Sequence, residues 1–78
     1  MTTTLAQEQY DIILEWDPEA EAWTAISDAI PLALESESLD ALMERVRVAV
    51  PELLELNGKP NKNVKLRFHA ERLETVGV

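Results

Sequence analysis

The amino-acid order predicts an α+β domain in which a three-strand meander, one long helix packed on one sheet face and a C-terminal strand follow one another as β-β-β-α-β. Three observations predict it. Trp16 and Trp23 bracket the turn-forming run Asp17-Pro18-Glu19-Ala20-Glu21, and a turn between two aromatic, extended stretches reads as a hairpin. A single apolar stripe at helical spacing runs from Leu39 to about Leu56. After it, Val64, Leu66, Phe68 and Ala70 alternate with Lys65, Arg67, His69 and Glu71, the pattern of a half-buried strand. A helix that can bury only one stripe has to lie on the sheet to which the hairpin belongs.

Residues 1–8 are polar and unpatterned and are expected to form a flexible tail ahead of a single domain over residues 9–78. Tyr10, Ile12, Leu14 and Trp16 alternate with Asp11, Ile13 and Glu15, a period of two that marks a first strand with one fully apolar face. Ile13 breaks the polar side. Residues 22–28 are aromatic and β-branched enough for a second strand, although their pattern leaves open which of Trp23 and Ile26 faces the core.

Asp28-Ala29-Ile30-Pro31 signals a turn, since proline removes a ladder donor and restricts the residue before it, and Leu32-Ala33-Leu34-Glu35-Ser36 alternates as a short third strand. Ser38 is placed to cap the helix, with Asp40 in the first turn complementing the positive end of the helix dipole. The stripe Leu39, Leu42, Met43, Val46, Val50, Leu53, Leu54 keeps its phase across Pro51, so one kinked helix is expected rather than two pieces. At 1.5 Å per residue it spans about 28 Å, enough to cross a small sheet. Asn57-Gly58 is the expected stop, with Gly58 in a left-handed conformation and Pro60 barring continuation.

A chain of 78 residues buries only about 60% of the surface its unfolded form exposes, and without cysteine neither a disulfide nor a thiolate metal site adds to the core. Self-association is an expected source of further stability. The start of the chain has no basic region followed by an apolar run, and no later segment approaches the roughly eighteen apolar residues of a membrane span, so a soluble cytoplasmic protein is expected. Fifteen acidic against seven basic side chains give a net charge of −8, which repels phosphate backbones and argues against nucleic acid as a partner. The charge is uneven: thirteen acids and two bases precede Lys59, while five bases and two acids follow from it. The basic final segment is expected to neutralise acidic neighbours in the same sheet or in a second subunit.

No constellation of catalytic, metal or cofactor-binding type emerges. Two-metal hydrolysis needs several carboxylates converging on ions about 4 Å apart. Asp11 on the first strand and Glu44 on the helix are available, but the last strand offers Lys65, Arg67 and His69 where a further acid is wanted. His69 has no nucleophile beside it in the pattern and reads as a solvated or salt-bridging residue. With glycine only at positions 58 and 77, no phosphate-cradling loop is present.

The stretch Trp16-Asp17-Pro18-Glu19-Ala20-Glu21-Ala22-Trp23, then Ala25-Ile26-Ser27-Asp28, Ile30-Pro31, Glu35 and Val50-Pro51-Glu52-Leu53-Leu54-Glu55-Leu56-Asn57-Gly58, resembles a small bacterial family of uncharacterised function related to the HicB antitoxins. The likeness spans roughly residues 9–70. It implies a truncated ribonuclease-H-like fold and, as in HicB relatives, a protein that neutralises a small messenger-RNA-cleaving toxin of the HicA type. Leu32 stands where relatives usually have glycine. Full-length relatives often carry a C-terminal DNA-binding segment; with this chain ending at Val78, operator binding is not expected.

An RNA-cleaving toxin presents cations to its substrate, and an acidic inhibitor covers them through complementary potential. Glu15, Asp17, Glu19 and Glu21 near the hairpin, with Glu35 and Glu37, are the candidate contacts for such a basic partner. A different class of function is a self-associating structural or regulatory module. One helix leaves the opposite sheet face bare, and Ile13 together with Trp23 or Ile26 is expected to build a homodimer contact there.

Overall fold

The computed structural model describes residues 8–58 and 64–77. Its elements are β1 (Glu8–Asp17), β2 (Ala22–Ser27), β3 (Leu32–Ser36), α1 (Leu39–Leu56) and β4 (Val64–Glu71), the expected α+β order. The strands make one four-stranded sheet in the order β3-β2-β1-β4. β1 pairs antiparallel with β2 and β2 antiparallel with β3, while β4 returns beside β1 and runs parallel to it. The helix is the crossover that parallel pairing requires. It carries the chain from one edge of the sheet to the other. β1 begins at Glu8, one residue inside the stretch assigned to a tail, and the rest of that stretch lies outside the described residues, as do Lys59, Pro60 and Lys62 of the loop before β4.

The first turn follows from Asp17, whose Oδ1 accepts the N–H groups of Glu19 at 3.0 Å and Ala20 at 3.3 Å and so bends the chain after Pro18. Glu21 closes the hairpin at φ 51°, a left-handed value that costs a side-chain-bearing residue energy. In the second turn the Leu32 N–H donates to the Ile30 carbonyl at 2.7 Å, and both residues are buried. The third strand therefore starts in the core, with Leu32 buried directly after Pro31.

Ser38 caps the helix in an extended conformation (φ −107°, ψ 127°), its Oγ accepting the Ala41 N–H at 3.2 Å. The helix is continuous through Pro51. Pro51 removes a bond to the Arg47 carbonyl, and both residues are exposed, so that carbonyl is left on the watered side of the helix. At the other end the Asn57 N–H donates to the Leu53 carbonyl at 3.0 Å and the Gly58 N–H to that of Glu55 at 3.1 Å, with Gly58 at φ 71° as expected.

Leu42, Val46, Val50 and Leu54 form the buried stripe of α1. They pack on Ile12, Leu14, Trp23, Ala25 and Leu32, with Ile30 from the second turn closing the cluster. The helix backbone comes closest to β3 and β2. Over β1 and β4 the core is completed by larger, partly buried side chains, among them Tyr10, Trp16, Leu66 and Phe68.

Candidate functional site

Pairing register decides which residues share the face that the helix leaves bare. Ile13 lies opposite Ile26 on β2 and His69 on β4, and Ile26 lies opposite Ala33 on β3, so His69, Ile13, Ile26 and Ala33 form one row across all four strands. The next row toward the β1–β2 turn is Glu71, Glu15, Thr24 and Glu35. Three of its four members are carboxylates. On the other side of the apolar row Asp11 lies opposite Arg67, and Asp11 Oδ1 meets His69 Nε2 at 3.0 Å. Asp11, Ile13, Glu15, Asp28, His69 and Glu71 thus line a shallow depression on this open face.

The six acids singled out in the sequence gather at one end of the molecule. Asp17 pairs with Ala22 and Trp23 with Ser36, which sets the turn residues Glu19 and Glu21 beside the end of β3, with Glu37 next along the chain. Glu15 and Glu35 reach the same end through Thr24, whose hydroxyl donates to the Glu15 carbonyl at 3.4 Å. Glu15, Glu19, Glu21, Glu35 and Glu37 are exposed, while Asp17 is half-buried by its own turn. Glu71 joins this group unforeseen. Its phase along β4 placed it with Lys65, Arg67 and His69, but only the sheet order sets it beside Glu15.

Of the three residues read as a self-association patch, Ile13 and Ile26 do share the bare face, with Ile26 43% exposed. Trp23 does not. It lies opposite Trp16 and therefore points to the helix side, where the two rings meet edge to face at 5.6 Å and Trp23 is 9% exposed. Aromatic surface of this size has a stronger claim on the core than isoleucine. Ala33 takes the third place in the apolar row.

Of the basic last segment, His69 on β4 meets Asp11 on the neighbouring strand and Arg72, beyond the strand, meets an acid two residues on, while Lys65 and Arg67 form no ion pair among the described residues. Besides the Asp11–His69 bond, Arg72 Nε meets Glu74 Oε1 at 2.7 Å while its guanidinium stacks 3.9 Å from the Trp16 ring. Side chains of Asp11 and His69 are 59% and 48% exposed, so this is a surface contact. Asp11 belongs to the open face and Glu44 to the helix on the opposite side of the sheet, so the two do not converge on a common ion. Among the described residues no group of three or more potential metal ligands occurs. Nor is any described helix long and apolar enough to cross a membrane.

A family model described as "Domain of unknown function (DUF1902)" matches residues 9–78. The chain is also similar to a solved structure, the hypothetical protein TTHA1013 from the extremely thermophilic bacterium Thermus thermophilus. The two are 39% identical with a TM-score of 0.75, over 88% of this chain and 100% of that one. No curated protein matches.

Proposed function

This chain belongs to the DUF1902 family, and from that starting point we propose that it is a non-catalytic, cytoplasmic protein-binding module of the HicB type, whose acidic end covers the cationic surface of a small RNA-cleaving toxin. The observation that carries the reading is the convergence of Glu15, Asp17, Glu19, Glu21, Glu35 and Glu37 at one end of a sheet whose face is left open. Three carboxylates share a single cross-strand row, an arrangement that like charges disfavour unless a positive partner relieves it. Beside that row, Ile13, Ile26 and Ala33 offer the apolar centre around which a charged rim selects its partner.

The test is co-expression with the product of the neighbouring reading frame, expected to be a short basic protein. The chain captures it and restores growth of cells producing it. Reversing Glu19 and Glu21 to lysine together weakens capture, as does Glu15→Lys. Capture indifferent to all three substitutions, or a neighbouring frame that encodes no basic protein, overturns the reading.

A second reading is favoured by Ile26, a large apolar side chain left 43% exposed at the centre of the face. On that reading the face docks on itself and the protein is a self-associating regulatory domain. Ile13→Glu separates the two by chain mass in solution, since it dissolves a face-to-face dimer in the absence of any toxin.

A further inference from the structure

The two edges of the sheet are finished differently. β3 is five residues long, and its Glu35 carbonyl is taken by Arg45 Nη1 from the helix at 2.7 Å. A side chain that occupies the edge in this way hinders pairing with another strand. β4 is eight residues long and forms the opposite edge, and among the described residues no side chain bonds to its outer backbone. An edge of this kind presents a ladder of N–H and C=O groups. Because the helix backbone comes closest to β3 and β2, the apolar residues that β4 turns inward, Val64, Leu66 and Phe68, are only half-buried. β4 is also the segment in which an acidic chain carries Lys65, Arg67 and His69, so two copies meet there with the least mutual repulsion.

We propose that β4 is the docking edge for a second copy of this chain, the two β4 strands pairing antiparallel about a two-fold axis at Phe68 and joining two four-stranded sheets into one of eight strands. Side-chain pairing selects that axis. Residues on the same face then meet as Lys65 with the partner's Glu71, Arg67 with the partner's His69 and Leu66 with the partner's Ala70. Lys65 and Glu71 attract, and both pairs of them form by symmetry. Asp11, in register with Arg67 and bonded to His69, supplies negative charge beside that pair. Centring the axis on Arg67 sets that residue against its own copy, and centring it on His69 sets Leu66 against the partner's Arg72. The backbone ladder of this edge lies in the plane of the sheet, and the Lys65, Arg67, His69 and Glu71 side chains that would meet there form the margin of the open face.

Sedimentation of the full chain at micromolar concentration tests the proposal. The expected mass is twice that of the chain. Lys65→Glu sets acid against acid at both symmetric positions and raises the dimer dissociation constant roughly tenfold. The charge-swapped Lys65→Glu/Glu71→Lys variant restores it, which loss of folding does not. A wild-type chain that sediments as a monomer, a dimer indifferent to Lys65→Glu, or a swap that fails to rescue overturns the proposal. A dimer dissolved by Ile13→Glu and untouched by Lys65→Glu overturns it as well, by placing the contact on the open face.

Discussion

Val46 and Val48 lie two positions apart on one helix, yet Val46 is fully buried and Val48 is 61% exposed. Replacing each by alanine removes the same two carbons and gives the same gain in helix propensity, about 0.5 kcal/mol. At Val46 the lost burial is about 0.8 kcal/mol per carbon, or roughly 1.6 kcal/mol, and incomplete collapse of the surrounding side chains raises this to about 2.5 kcal/mol. The net effect of Val46→Ala is thus a loss of about 1–2 kcal/mol, and that of Val48→Ala is neutral to a gain of about 0.5 kcal/mol. In a domain of this size the first corresponds to a fall in Tm of roughly 5–15 °C. Urea melts of both variants, followed by far-ultraviolet circular dichroism and by the fluorescence of the two tryptophans, provide the measurement. Equal losses at the two positions, or the larger loss at Val48, refute the packing of this helix on the sheet.

Two further substitutions test local structure. Ser38→Ala removes the acceptor of the Ala41 N–H and costs about 1 kcal/mol in the same melts, whereas Ser38→Asp retains the cap; equal stability of all three chains contradicts the capping geometry. Glu21→Gly relieves the left-handed backbone at φ 51° and raises stability by about 0.5–1 kcal/mol, while the β-branched Glu21→Val lowers it; the opposite order contradicts the hairpin conformation.

Elements with a strict period were readable because the period is itself the burial pattern. Leu42, Val46, Val50 and Leu54 recur at helical spacing and are the buried face of α1, and β4 shows period two from Val64 onward. Ser38 and Gly58 marked the helix ends through the local chemistry of an N-cap hydroxyl and a left-handed stop. Residues 22–28 have no such period, and the facing of Trp23 was settled only by register with Trp16 across the hairpin. Neighbours across the sheet were harder still. That β4 returns beside β1 depends on how far the helix carries the chain, which no local pattern encodes, so the row joining Glu71 to Glu15 and the bond from His69 to Asp11 had no sequence signal beyond phase along each strand. The gathering of Glu15, Glu19, Glu21, Glu35 and Glu37 was partly visible, since a tight turn returns the chain to the residues that precede it.

The sheet face opposite the helix, with the acidic end beside it, is the surface proposed to meet the partner. Chemical-shift mapping of the isotope-labelled chain, titrated with the co-encoded basic protein, tests this most directly. The largest changes are predicted at Ile13, Glu15, Glu19, Glu21, Ile26 and Glu35, with the helix positions Glu44, Val48 and Glu52 unmoved. Changes confined to those helix positions, or none at saturating partner, contradict it.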